Sequence, residues 1–144
     1  MKLLILNGPN INFLGIREPD LYGRRTYQDL LEYLRAVCAR EGVEAEFRQS
    51  NHEGDLIDAV QAAYGVMDGI VLNPAGYTHT SVALGDALKA VGLPAVEVHL
   101  TDISTRESYR RVSYTAEACI AQICGEGFAG YEKAILLLKE KLGK

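Results

Sequence analysis

Three short stretches of this 144-residue chain concentrate the side chains that move protons and bind oxygen. They are Asn7-Gly8-Pro9-Asn10-Ile11-Asn12, Asn73-Pro74-Ala75-Gly76-Tyr77-Thr78-His79-Thr80-Ser81 and Glu97-Val98-His99-Leu100-Thr101-Asp102. A longer stretch, 9–25, adds Arg17, Glu18, Tyr22, Arg24 and Arg25, with glycines at Gly15 and Gly23. His99 follows Val-Glu-Val at what reads as the mouth of a strand, and a catalytic role fits it best. The other residues keep two readings each. Asn7, Asn10 and Asn73 serve equally well as turn residues whose amides bond the backbone. His79 serves equally as a residue at a helix start with no task. The stretch 9–25 is either a solvated loop or a lid, since long loops in compact domains are often binding loops.

Several chemistries lack their residues. No GxGxxG or GxxxxGK[ST] follows the first strand, so the phosphate-cradling loops are missing. The 3 histidines, His52, His79 and His99, are too dispersed for a zinc site. Asn73 stands where a phosphoacceptor switch would need an aspartate, and no GxSxG elbow occurs. Lys2, Lys89, Lys133, Lys139, Lys141 and Lys144 all lie away from the carboxyl ends of strands, so an imine mechanism lacks its nucleophile. Acid–base work by Tyr, His and Arg remains.

The elements that must position these residues alternate along the chain. Strands are expected at Lys2 to Asn7, Ala45 to Gln49, Gly69 to Leu72, Ala95 to Val98 and Ala118 to Ile123, the first and third buried on both faces. Helices are expected at Tyr27 to Glu41, capped by Thr26 and ended by Gly42, and at Thr80 to Val91, ended by Gly92 and Pro94. A further helix runs from a cap at Asn51 to about Tyr64, with Leu56, Ile57, Val60, Ala63 and Tyr64 inward. Ser104-Thr105-Arg106-Glu107 has capping-box spacing and should open a short helix. Gly130 to Leu142 closes the chain on a stripe of Ile135, Leu136, Leu138 and Leu142. Without repeats or linkers, residues 1–144 read as one α/β domain. Its sheet is five-stranded, parallel and doubly wound, in flavodoxin-like order 2-1-3-4-5, with helices on both faces. Such sheets bind ligands outside the carboxyl ends of their strands, and the three polar stretches converge there.

Composition is that of an ordinary globular protein. Hydrophobic residues make up 48% and charged residues 24%, with a net charge of -4. Nucleic-acid binding needs a basic face and gains no support. The apolar start is short and no run approaches the roughly 20 residues of a membrane span, so no leader and no membrane contact are expected. Cys38, Cys119 and Cys124 form no CxxC pair and read as buried fillers in a reducing cytoplasm.

The combined motifs resemble those of type II 3-dehydroquinate dehydratases. The likeness runs through Asn7 to Asn12, Leu14-Gly15, Arg17-Glu18-Pro19, Tyr22-Gly23, Arg48-Gln49-Ser50-Asn51, Glu53-Gly54, Asn73 to Leu84, Asp86-Ala87, Glu97-Val98-His99 and Arg106 to Arg110, covering essentially the whole chain. The resemblance implies a hydro-lyase of the shikimate pathway, which leads to aromatic amino acids, or of the quinate pathway. It would dehydrate 3-dehydroquinate reversibly to 3-dehydroshikimate through an enolate, without metal, cofactor or imine. It implies a homododecamer built as a tetramer of trimers. Within it Tyr22 is the base, Arg17 its electrostatic partner, His99 the proton donor, Glu97 its orienter and Asn10 the residue that offsets the enolate charge. Asn73, His79, Leu100, Thr101, Arg106 and Arg110 bind substrate, and Asp86 reaches a neighbouring subunit's site. Members often carry Ser-Asn where this chain has Thr101-Asp102, and a histidine where it has Val112. Both changes are expected to lie outside the essential chemistry. A flavodoxin-like module binding a flavin or another small ligand is the alternative; Pro9 and its flanking asparagines fit it poorly.

Overall fold

The unbroken apolar run Leu3-Leu4-Ile5-Leu6 lies at the centre of the molecule because both of its faces are covered. Side chains alternate across a strand. Leu3 and Ile5 join one core, with Leu30 and Leu34 on one helix and Tyr131, Ile135 and Leu138 on another. Leu4 and Leu6 join a second core, with Leu56, Val60, Leu84 and Leu88. Burying each such side chain contributes roughly 1.5–3 kcal/mol. The computed structural model describes residues 1–16 and 18–144, with Leu21 and Tyr22 described by backbone alone.

Among the described residues the sheet has five strands. They are β1 (Lys2–Asn7), β2 (Glu44–Gln49), β3 (Gly69–Asn73), β4 (Ala95–His99) and β5 (Ala121–Cys124), all paired in parallel in the order β2-β1-β3-β4-β5. This is the order the alternation predicts. The helices are α1 (Pro19–Tyr22), α2 (Tyr27–Glu41), α3 (Glu53–Ala63), α4 (Val82–Val91) and α5 (Phe128–Lys141). Helices α2 and α5 cover one face of the sheet, α3 and α4 the other. The α2 start is a full capping box: Thr26 Oγ1 accepts from Asp29 N at 3.1 Å, and Asp29 Oδ2 accepts from Thr26 N at 2.8 Å.

Several expectations fail at element boundaries. Asn51 does not cap α3; His52 precedes the helix without a side-chain cap. Tyr64 lies past the end of α3 and is 69% exposed. The fourth helix starts at Val82 rather than Thr80, because Ser81 Oγ accepts from Leu84 N and residues 75–79 form a 3-10 turn instead. The Ser104 box is preempted by Asp102, whose carboxylate takes Ser104 N and Oγ, so two 3-10 turns, Ile103–Thr105 and Ser108–Arg110, replace a helix. The last strand begins at Ala121, since 116–118 form another 3-10 turn. The closing helix starts at Phe128, and its buried stripe is Phe128, Tyr131, Ala134, Ile135 and Leu138, with Leu136 exposed.

One close approach ties the two central strand ends together. Gly8 N donates to Asn73 O at 2.8 Å, and a Cβ on Gly8 would sit 2.5 Å from the Pro74 carbonyl oxygen. Only glycine lets the loop after β1 lie this close to the loop after β3.

Candidate functional site

The crevice that opens here is a cavity of about 160 Å³ at the carboxyl ends of β1, β3 and β4. The loop after β1 supplies Asn10 and Ile11 to its wall. The end of β3 and the turn beyond it supply Asn73, Ala75, Gly76 and His79. The end of β4 and the turns beyond it supply His99, Leu100, Thr101, Ile103, Arg106 and Arg110. The three polar stretches therefore meet, as the topology predicts.

The most densely bonded part is the Glu97–His99 pair. Two residues apart on β4, they share one face of the sheet. Glu97 is fully buried and His99 nearly so. His99 Nε2 donates to Glu97 Oε2 at 2.9 Å, which leaves Nδ1 as the nitrogen available to the crevice. Ser113 Oγ and Gln122 Nε2 also donate to Oε2, at 2.8 and 2.6 Å. Thr78 Oγ1 donates to Oε1 at 3.0 Å, and the Thr115 hydroxyl donates to the same oxygen. Burial pushes the Glu97 carboxyl up. The bond and charge of His99, with the bonds from Thr115 and Gln122, outweigh it and hold the group at about 2. Glu97 is thus a fixed anion under the imidazole.

His79 is held differently. Its Nδ1 donates to the Val112 carbonyl oxygen at 2.7 Å, so Nε2 of the neutral ring is free to accept. Burial lowers its pKa, and His99 and Arg110 add to the lowering. The contact uses the main chain of residue 112, so the identity of its half-exposed side chain matters little.

Two residues lining the crevice have left-handed backbones without being glycine. Asn10 has φ 69° and Ala75 has φ 52°. An asparagine carbonyl holds each N–H: Asn51 Oδ1 accepts from Asn10 N at 3.0 Å, and Asn73 Oδ1 accepts from Ala75 N at 3.1 Å. Asn51 thus spends its side chain on the crevice, which is why it caps no helix. Gln49 Nε2 braces the same loop through the Gly8 carbonyl and the Asn12 and Asn51 amides.

Both cationic residues of the wall face one carboxylate: Arg110 Nε lies 3.2 Å and Arg106 Nε 3.9 Å from Glu107 Oε2. Asp86 is exposed on α4, away from the crevice of its own chain. Arg17 and the Tyr22 side chain lie outside the described residues. Cys38 is buried, whereas Cys119 and Cys124 are only half-buried. Burial raises all three thiols, that of Cys119 to about 12, and Glu97 adds to the rise at Cys119 and Cys124.

Sequence reading gave no role in this site to Ser113, Thr115, Gln122, Asn51 or Glu107, nor to Thr78, although Thr78 lies in one of the three stretches that converge on it. The alternation of β4 could have flagged a buried Glu97 in need of donors. Nothing local marks which hydroxyls, from 16 to 19 residues away, supply them.

A family model described as dehydroquinase class II matches residues 1–139. A 3-dehydroquinate dehydratase from Clostridium acetobutylicum is 55% identical over 144 residues, 100% of both chains. The crystal structure of a type II dehydroquinase from Butyrivibrio crossotus superposes with a TM-score of 0.95 at 46% identity, covering 96% of this chain and 97% of that one. One from Propionibacterium acnes gives a TM-score of 0.90 at 34% identity, over 99% of this chain and 97% of that one. Matched along nearly its whole length in sequence and in fold, the chain belongs to the class II dehydroquinase family.

Proposed function

We infer that the chain catalyses the reversible dehydration of 3-dehydroquinate to 3-dehydroshikimate, a carbon–oxygen lyase reaction. The observation that carries this reading is the buried Glu97–His99 pair at the mouth of a crevice lined by further polar groups. Loss of water from a β-hydroxy ketone needs a base at the carbon beside the carbonyl, charge stabilisation at the ketone oxygen and a proton for the departing hydroxide. His99, held over an anion, is suited to the last task, and such a transfer is typically worth about 10²–10⁴-fold.

The remaining roles rest on the family resemblance. Tyr22 acts as the base in its phenolate form. A phenol of pKa about 10 needs a nearby cation to ionise near neutrality, and Arg17 provides it. Asn10, with its backbone already fixed by Asn51, offsets the enolate charge. The backbone N–H groups of Leu100 and Thr101, with the Thr101 hydroxyl, take the substrate carboxylate. Asn73, the acceptor Nε2 of His79 and Arg110 take the ring hydroxyls, and Arg106 flanks them. The stretch from about Ile16 to Arg25 closes over the substrate and excludes water. In this reading the working unit is a cytoplasmic dodecamer, a tetramer of trimers, in which the exposed Asp86 completes a neighbour's site. Among the described residues no helix is long and apolar enough to cross a membrane.

The test is direct. Purified protein mixed with 3-dehydroquinate should produce the ultraviolet absorbance of a conjugated enone, and borohydride added with substrate should leave the activity intact. Absence of the signal across a range of pH overturns the assignment. Inactivation by borohydride overturns the imine-free mechanism.

A further inference from the structure

Register pairing places Asn7 of β1 directly beside Asn73 of β3. Both continue the alternation of Leu3, Ile5 and Val71 and so face the same side of the sheet, toward α5. Tyr131 of α5 rises between them, fully buried. Its hydroxyl donates to Asn7 Oδ1 at 2.6 Å and accepts from Asn73 Nδ2 at 2.9 Å. The directions are dictated by chemistry. Ala75 N can only donate, so the Asn73 atom facing it must be the carbonyl oxygen, and Nδ2 must face Tyr131. Tyr131 oxygen then accepts, and its single proton must go to Asn7.

This chain of bonds is poor economy for stability alone. Tyr131 lies among Ile5, Val71 and Val98 in an apolar core, where a phenylalanine would carry no polar group to satisfy. Nδ2 of Asn7 is buried without a hydrogen bond of normal geometry, although the amide offsets part of the rise that burial imposes on the Tyr27 phenol. What the bonds do accomplish lies one residue away. They fix the rotamer and amide orientation of Asn73, and through Asn73 Oδ1 they hold Ala75 in a left-handed conformation at the crevice wall.

We propose that Tyr131 is a positioning residue for the reaction, acting from beneath the crevice floor through Asn73 and Ala75. The proposal rests on the dehydratase reading above. Without the Tyr131 hydroxyl, Asn73 Nδ2 loses its partner and the amide is free to turn over, and Ala75 N–H loses its acceptor when it does.

The experiment is a double-mutant cycle on the enone assay, with Tyr131→Phe, Asn73→Ala and the pair. Tyr131→Phe should lower kcat/KM about ten- to a hundredfold, chiefly through a raised KM, well below its unfolding temperature. In the Asn73→Ala background the same change should have little further effect, because its route is already cut. Asn7→Ala, which removes the acceptor that orients the Tyr131 hydroxyl, should move KM in the same direction and serves as the second variant. Native kcat/KM in folded Tyr131→Phe overturns the proposal, and so does a full multiplicative loss in the double variant. An inactive wild-type protein would instead overturn the dehydratase reading, so the two failures are distinct.

Discussion

Replacing Glu97 by glutamine tests the central electrostatic claim without changing the shape of the site. His99 and Gln122 present fixed N–H donors to Oε2 at 2.9 and 2.6 Å, so the glutamine oxygen must occupy that position. Its NH₂ then replaces Oε1, where the hydroxyls of Thr78 and Thr115 can rotate from donating to accepting. The network closes again with its charge removed. A hydrogen bond to a charged group contributes about 1.5–3 kcal/mol and a neutral one about 1, so the bond that holds the His99 ring weakens by roughly 1–2 kcal/mol. That corresponds to a fall in kcat of about 5- to 30-fold. The assay is enone formation against pH, with near-ultraviolet dichroism and thermal unfolding run alongside. A Glu97→Gln protein that is folded and shows the native rate would refute the reasoning.

The geometry sets four further outcomes. Thr115→Val, which removes one hydroxyl from Glu97 and leaves its charge, should lower stability by about 1–2 kcal/mol in urea unfolding and reduce kcat less than Glu97→Gln does. The Glu97 carboxyl is depressed from 4.5 to about 2 in the folded state, so its stabilisation is complete above about pH 4.5 and is lost as pH falls toward 2. Unfolding free energies measured across that window should drop by an amount on the order of 3 kcal/mol more in the native protein than in Glu97→Gln. The His79 ring should titrate below 6.5 when followed by magnetic resonance, because burial outweighs the opposing pull of the Val112 carbonyl, and a midpoint above that value would contradict that balance. Gly8→Ala should cost about 1–3 kcal/mol through overpacking against the Pro74 carbonyl, with a measurable loss of enone formation from displacement of the loop after β1.

The sheet was readable in the sequence because its signals are strong and repeated. Runs such as Leu3 to Leu6 and Ile70 to Leu72 have no polar interruption, and parallel strands demand such runs when both faces are covered. The location of the crevice came from topology. What resisted reading was the use of each polar side chain. Asn51 and Asp102 are both short, carbonyl-bearing residues at points where a chain turns. One bonds a backbone 41 residues away and the other caps its own turn. Local sequence favours the cap in both cases, and only tertiary contact separates them. The hydroxyl cage of Glu97 was hidden for the same reason, since Ser113 and Thr115 lie in a segment without periodicity. Tyr131 was not singled out on the closing helix, because its hydroxyl finds its partners across the sheet.

The contact at Gly8 also bears on how such a sequence can vary. Every missense change of a glycine codon introduces a Cβ, and here a Cβ of any kind meets backbone rather than a side chain that a second substitution could shorten. Neighbouring sites in a core can drift together, one shrinking as the other grows. This position has no such partner, so its tolerance is set by the path of the main chain. In a library of single variants scored for growth, every substitution at this position should be depleted, whatever its size.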